Sequence, residues 1–565
     1  LHSLRPGPLP GSGSKRREGT ISNLIWGVTA VALATLLVHR AWLAHRGGSD
    51  GHAILAILAA GLLLRVYAGS DLFLHCWDER YHALVAKHLL AHPAIPTLYD
   101  LPALPYDYRD WRANHVWLHK PPLALWLMAA GLWLSQALPG MVGGEIAMRL
   151  PGLLLSVAAI YFTYRIGAYL CGRQAGLLAA FLHATNGYLL QLPGGRAPVD
   201  QIDNDLIFCV ELGIFLSVLY LESGRRWLVP AIGASVGLAV LTKWIPGLLA
   251  VPVFLALAWG KERPRRLALD LALICLSAAA VALPWQIYVH LTFPREASWE
   301  SAYALRHLLV PVEGLAGSPL FYLTRMGRYF GALVYLCLTW FLVKLARERQ
   351  PEMLRLAVWL LLPYLVFSLA ATKMAGYVMT AAPALFLIEA LFWLWLLNLD
   401  PGPWPGWRRG LRWAALALLV VLPLRYTLER LKLSPSYDRN PPWARAMREL
   451  PARIGPGKVV LLNVDRPIEM MFYTPYIAYS KMGTPQQIAS LRREGFRVIA
   501  FDDGHLPPAL RASPGLEVVL NPIPSSPLND GTGLRLPKKD GSDSPLIGAA
   551  LTLTDGSSLS ASTSR

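Results

Sequence analysis

Apolar runs separated by short basic clusters fill the first 430 positions of the chain, and from about 455 they give way to shorter, β-type runs. The runs at 21–43, 52–70, 150–170, 176–192, 206–221, 227–241, 244–260, 267–290, 327–346, 352–370, 377–398 and 411–429 predict helices. Several reach 16 to 24 residues, enough to cross a hydrocarbon core. A further apolar run, 121–138, opens with Pro121 and Pro122. Near the end, KVVLLNV at 458–464 and FRVIAF at 496–501 flank the helical stretch PQQIASLRREG, which predicts a small α/β region. No glycine-rich phosphate loop accompanies it, so no catalysis is assigned there.

The charges orient this pattern. Six clusters sit in short loops: Arg40 and Arg46; Arg165 and Arg173; Arg225 and Arg226; Lys261, Arg263, Arg265 and Arg266; Lys344, Arg347 and Arg349; Arg408, Arg409 and Arg412. Basic loops face the cytoplasm, which leaves 71–149, 193–205, 291–326, 371–376 and everything after 430 on the periplasmic side. The scheme requires 121–138 not to cross fully, so an interfacial or re-entrant helix is expected there. Lys15, Arg16 and Arg17 disagree with it unless the first helix lies on the cytoplasmic surface. The net charge of +17 is therefore mainly a topology signal and not a nucleic-acid footprint.

With 54% hydrophobic and 16% charged residues, the composition excludes a soluble domain of this length. Five cysteines without a CxxC pair indicate neither a disulfide framework nor a zinc motif. The fold class expected is a mainly α, polytopic membrane protein with about 11–13 transmembrane helices. It has a long first periplasmic loop with interfacial helices and a small C-terminal α/β soluble domain. The divisions are a disordered tail at 1–20, a membrane-embedded domain at 21–430, a periplasmic α/β domain at 431–521 and a disordered tail from 522 to 565.

Candidate chemistry concentrates in the outside segments. The first holds six of the 14 histidines, namely His75, His82, His88, His92, His115 and His119. It also carries Asp78, Glu79, Lys120 and several Tyr and Trp. In WDERYHALVAKHLL, 77–90, Asp78 and His82 fall one helical turn apart with Glu79 beside them; an acid here is also a favourable first-turn charge. The second segment, GGRAPVDQIDNDL, crowds Asp200, Asp203 and Asp205 at the start of a membrane helix, where helix capping is the simpler alternative. Arg196 is placed to pair with these acids or with a phosphate. The third contributes Glu300, Tyr303, Arg306 and His307, and the fourth puts Lys373 and Tyr377 four residues apart. An amphipathic helix meeting anionic headgroups and a snorkelling lysine are the alternatives for these.

WDERYHALVAK, HKPPLALW, AMRLPGLLLS at 147–156 and GRQAGLLAA at 172–180 together resemble the polyprenyl-phosphate-sugar transferases of the C-type glycosyltransferase superfamily. The chain is most similar to the lipid A aminoarabinose transferase branch, related to protein O-mannosyltransferases, over residues 52 to about 400. The resemblance implies a role near acceptor or sugar for Asp78, with Glu79 beside it, and contact with the lipid phosphate for Lys120. It also implies a second acid at Asp203, with Asp205 next, a His and Arg near metal and phosphate at His307 and Arg306, and a Lys and Tyr before a Pro-containing helix at Lys373 and Tyr377; the expected donor-binding residues are Lys120, Arg306, Lys373, Tyr377, Arg196 and Tyr81. The aminoarabinose transferases carry Glu where this chain has His119, and that Glu is associated with a metal. The expected metal set is drawn from Asp78, His82, His119 and His307, for zinc or manganese.

The function expected is an inverting transfer of sugar from undecaprenyl phosphate to an acceptor on a glycolipid such as lipid A, a polysaccharide or a protein, in a bacterial inner membrane. Membrane lipids are expected partners, and nucleic acid is not. The competing readings are a lipid or sugar flippase and a non-catalytic glycan-binding assembly protein. Transporters place ionisable groups near the midplane on paired broken helices, whereas here the acids cluster outside.

Overall fold

The computed structural model describes residues 12–137, 143–197, 200–399, 406–434 and 437–524, with backbone alone for 12–22 and 408. Of the two tails expected at 1–20 and 522–565, residues 1–11 and 525–565 lie outside the described residues. Among the described residues, eight helices are long and apolar enough to cross a membrane: Asn23–Arg46, Asp50–Gly69, Gly144–Cys171, Asp203–Ser223, Pro264–Thr292, Pro351–Leu369, Ala375–Asn398 and Arg409–Arg430. A ninth forms if Phe321–Phe330 and Val334–Glu348, bent by 117° at Gly331, count as one span. The chain is a multi-span membrane protein.

The lower count than the sequence suggested has local causes. The run at 176–192 is cut at Asn186, whose side chain caps Gly187–Gln191 by accepting from the Tyr188 and Leu189 amides at 3.1 and 3.0 Å. Leu123–Ala137, Leu228–Lys243 and Ile245–Ala258 are apolar but short. The first of these has 15 residues, against the roughly 20 that a crossing needs. The first helix is no surface helix: it packs along Asp50–Gly69, burying Ala30 and Ala34 against Ala60 and Leu64.

The two ends of the helices differ in what they gather. At one end the basic loops meet: Arg173 reaches Asp50 at 3.9 Å, Arg165 reaches Glu222 at 3.3 Å, and Lys261 Nζ donates to the Tyr169 hydroxyl at 2.6 Å. The four polar segments lie together at the other end. Ala316 and Thr372 pair antiparallel, and the Thr372 amide donates to the His307 carbonyl at 3.0 Å, which ties the third segment to the fourth.

The C-terminal region is a parallel sheet of β1 Val459–Leu462, β2 Ile477–Ala478, β3 Arg497–Asp502 and β4 Leu516–Leu520, in the order β2-β1-β3-β4. β1 and β3 were legible as β-branched runs; β2 and β4 are too short or too exposed to announce themselves. Thr484 and Gln487 form a capping box that starts Pro485–Arg493. The sheet shares one apolar core with the first loop, in which Leu84, Leu98, Tyr99 and Trp117 pack with Val460, Met470 and Ile499. Polar contacts cross the same seam: Lys87 Nζ donates to the carbonyls of Met471, Phe472 and Thr474, and Arg80 meets Glu469 at 3.4 Å.

Candidate active site

An alternating ladder of charge joins three segments of the chain. Asp78 opens the helix Asp78–Leu89, where the positive helix terminus favours an acid. Its Oδ2 lies 3.7 Å from Lys120 Nζ, which is 2.7 Å from Asp200 Oδ2. Asp200 is also 3.3 Å from Lys243 Nζ, and Lys243 donates in turn to Asp203 at the start of Asp203–Ser223. Lys120 owes its place to Pro121 and Pro122, which keep the residue before them out of helical conformation. Lys243 ends its helix at a break, since Trp244 takes a positive φ of 53° before a 3₁₀ turn begins at Ile245. That is an uncommon conformation for a bulky residue.

Burial alone would push the Asp200 carboxyl up, but Lys120, Lys243 and His82 outweigh it and hold it well below the usual carboxylate range. Burial likewise opposes the charged Lys120 amine, and Asp200 and Asp78 overcome it and raise the amine above its ordinary value. For His82 burial wins over Asp200 and Asp78, so the imidazole is held neutral, below its usual value. Its Nε2 stands 3.7 Å from Asp200 Oδ1, and neither ring nitrogen has a hydrogen-bond partner among the described residues. Asp78, His82 and Asp200 each offer a donor atom within 4.8 Å of the others, a group able to hold a metal ion.

Beside the ladder opens a cavity of about 350 Å³ with a lining of two kinds. His119, Lys120, Lys243, Glu300, Tyr303, His307 and Tyr377 supply its polar lining, and Ile245, Leu248, Leu249, Leu362 and Val366 its apolar lining. Ile245 and Leu248 are half exposed. His119 is stacked on Trp111 at 4.4 Å, and its Nδ1 is 3.2 Å from Glu300 Oε2. Lys243 Nζ sits 5.4 Å from the centroid of the Tyr377 ring. Gly376 lies against Asp203 so closely that a Cβ would collide with its carboxylate.

Of the residues expected from sequence, the structure thus brings together Asp78, His82, Lys120, Asp203, His119, His307 and Tyr377, and places the others elsewhere. Glu79 is turned away from Asp78 by one helical step, into a buried network with Arg149 at 2.6 Å and His75 at 2.5 Å. Burial would raise its carboxyl, yet Arg149 and His75 hold it at about 2. Arg196 belongs to the same region, bonded to Asp71 at 2.6 and 2.8 Å and not to a phosphate site. Asp205 is buried beside Asn204, 3.0 Å away, and Tyr81 packs edge-on against Trp111. Arg306 is exposed and covers the Trp299 ring at 5.0 Å, one residue out of phase with the cavity-facing His307. Lys373 donates to the carbonyls of Phe367, Ser368 and Ala370, capping the end of Pro351–Leu369.

The metal set also changes: His119 is engaged with Glu300, His307 Nδ1 pairs with its own helix at the Tyr303 carbonyl, and the third donor is Asp200. Asp200 stood among the crowded acids in sequence but ranked below Asp203 and Asp205, and Lys243 was passed over. A lone lysine between two apolar runs, followed by Pro246 and Gly247, was the signal for Lys243.

Residues 119–288 match the family model described as dolichyl-phosphate-mannose-protein mannosyltransferase. An undecaprenyl phosphate-alpha-4-amino-4-deoxy-L-arabinose arabinosyl transferase of Pseudomonas aeruginosa is 29% identical over 359 residues, 59% of this chain and 60% of that protein. Its counterpart in Pectobacterium carotovorum is 24% identical over 56% of each chain. The chain therefore spans about three fifths of the length of the curated relatives it matches. Among solved structures, ArnT from Cupriavidus metallidurans bound to undecaprenyl phosphate superposes with a TM-score of 0.55 at 16% identity, over 75% of this chain and 85% of that one. The apo oligosaccharyltransferase of Archaeoglobus fulgidus gives 0.52 at 14% identity, over 76% and 64%. The fold is that of these membrane proteins, and the resemblance carried by the sequence motifs is the one these comparisons return.

Proposed function

We propose that the chain is an integral membrane glycosyltransferase that moves a sugar from undecaprenyl phosphate, or a similar polyprenyl phosphate, to an acceptor hydroxyl or phosphate at the periplasmic face of a bacterial inner membrane. The observation that carries this reading is the mixed lining of the cavity: its apolar residues suit a polyprenyl tail, and its two lysine amines suit the phosphate. The names of the relatives, with their undecaprenyl phosphate and dolichyl phosphate donors, support it. The sidedness follows from the basic loops, which gather at the end opposite the cavity.

In this mechanism the phosphate meets Lys120 and Lys243, and Tyr377 walls the site. The acceptor oxygen attacks C1 of the sugar while the bond from C1 to the phosphate oxygen breaks, and Asp78, the least buried acid of the ladder, takes the acceptor's proton. One displacement inverts the configuration at C1. A general base of this kind is worth about 10²- to 10⁴-fold. The amines neutralise charge growing on the departing phosphate.

Asp78, His82 and Asp200 fit a divalent cation, zinc or manganese, because His82 is buried with both nitrogens unpaired and the ladder sets three carboxylates against two amines. A bound cation would supply further charge neutralisation at the phosphate. Metal analysis of the purified protein tests this: about one equivalent is expected, lost in His82→Ala, and none in the wild type refutes it. The function itself is tested by giving pure protein a radiolabelled polyprenyl-phosphate sugar and an acceptor extract. Label moving from lipid to acceptor is expected; label that only changes membrane leaflet, with the donor intact, establishes a flippase instead.

A further inference from the structure

A second cavity, of about 200 Å³, lies on the seam between the first loop and the C-terminal sheet, lined in part by Lys87, His88, Tyr99, Asp100, Met471 and Tyr476. Its hydrogen-bonding groups can be inventoried. The three protons of Lys87 Nζ go to the carbonyls of Met471, Phe472 and Thr474, at 2.8, 2.9 and 3.2 Å. The Tyr99 hydroxyl donates to the Ala478 carbonyl at 3.1 Å, the Tyr476 hydroxyl to Gly455 at 2.8 Å, and the Thr474 hydroxyl to Met470 at 2.7 Å. His88 Nδ1 faces the Thr97 carbonyl at 3.0 Å; a carbonyl can only accept, so the proton is on Nδ1 and Nε2 keeps its lone pair. Burial, which holds His88 below its usual value, favours this neutral form. Asp100 accepts one bond, from the Thr97 hydroxyl at 3.3 Å.

The side-chain donors around this cavity are thus engaged within the protein, and the side-chain groups that remain are acceptors: His88 Nε2 and the Asp100 carboxylate. Such a site offers phosphate or carboxylate no free side-chain donor. Leu101, Pro475 and Ile477 add an apolar wall. A ring with a C–H face and hydroxyl or ammonium donors on its edge matches both features. We propose that this cavity is a saccharide-binding subsite that holds one sugar unit of the acceptor glycan. It lies on the helix that Asp78 opens, with His88 about 15 Å further along the axis. Its assignment to the acceptor rests on the transferase reading; the binding of sugar does not.

The test is saturation-transfer NMR on the purified full-length protein, with the methyl glycosides of glucose and of glucosamine as probes. Wild type and Asp78→Asn are expected to bind at least one of them with a Kd on the order of 1 mM. Asp100→Leu is expected to weaken that binding at least about tenfold. Leu101→Arg, at a side chain that is 64% exposed and so spares the fold, is expected to block the mouth. No transfer of saturation to either glycoside, or signals that persist in both variants, overturns the proposal. A protein that binds glycosides here but moves no sugar from lipid leaves the subsite standing and refutes the transferase; one that moves sugar without binding here does the reverse.

Discussion

Replacing Lys243 by Gln separates the structural work of the ladder from its work on the donor. The amine sits between Asp200 at 3.3 Å and Asp203, to which it donates, and it also lines the cavity. Removing one partner of a buried ion pair costs about 3–5 kcal/mol, because the other charge is stranded. The stranded Asp203 can escape by taking a proton, which from an ordinary carboxylate value costs about 4 kcal/mol at pH 7. Asp200 keeps Lys120 at 2.7 Å, so Asp203 alone suffers. A phosphate that loses one charge-assisted hydrogen bond binds weaker by about 1.5–3 kcal/mol, or roughly 10- to 100-fold. The single variant should therefore melt lower and bind polyprenyl phosphate weakly. Adding Asp203→Asn removes the stranded charge, so Lys243→Gln with Asp203→Asn should recover most of the stability and none of the affinity. Thermal unfolding in detergent and a titration with a short-chain polyprenyl phosphate read the two quantities. The reasoning fails if the double variant recovers lipid affinity together with stability, or if the single variant binds lipid as the wild type does.

Asp78→Asn should abolish transfer while keeping donor affinity, since Asn preserves size but cannot take a proton, whereas Lys120→Ala should raise KM as well as lower kcat; donor binding and single-turnover rates on both decide it. Gly376→Ala drives a methyl group into the Asp203 carboxylate, so it should reduce both melting temperature and donor affinity, and unchanged values would contradict the close approach. Glu79, held at about 2 against an ordinary 4.5, contributes stability that is complete above pH 4.5 and is lost as pH falls toward 2. The shift corresponds to about 3 kcal/mol. Glu79→Gln should accordingly be less stable than wild type at neutral pH and lose less on acidification, as followed by melting temperature between pH 6 and 3.

The helical plan was legible because a membrane crossing needs a long apolar run and the chain supplies them with basic clusters between. Length misled where a single polar residue, Asn186, ended a helix inside an apolar run. The four polar segments were legible as a group, because acids and histidines are rare in such a chain and sit outside the crossings. What composition could not resolve was direction. Asp78 and Glu79 are neighbours in sequence, but successive residues of a helix point about 100° apart, and only packing against Arg149 shows that Glu79 faces away. The same one-residue phase separates His307 from Arg306. Lys373 has the environment of a structural lysine, its charge satisfied by three carbonyls, as the snorkelling alternative allowed. Lys243 went unnoticed because a lysine at the edge of an apolar run reads first as a topology signal, and only the fold reveals that it ends in the cluster of acids. Asp200 was seen but ranked below Asp203, since no spacing rule links a loop acid to a lysine eighty residues earlier.

If the cavity holds a lipid phosphate by Lys120 and Lys243, the protein should carry that lipid out of its own membrane. Native mass spectrometry of the protein extracted gently from its own membrane tests it most directly. Wild type and Asp78→Asn should carry a bound species with the mass of a polyprenyl phosphate or its sugar conjugate, and Lys120→Ala with Lys243→Gln should lose it. Ordinary phospholipid alone on the wild type, or a polyprenyl phosphate retained equally by the double lysine variant, would contradict it.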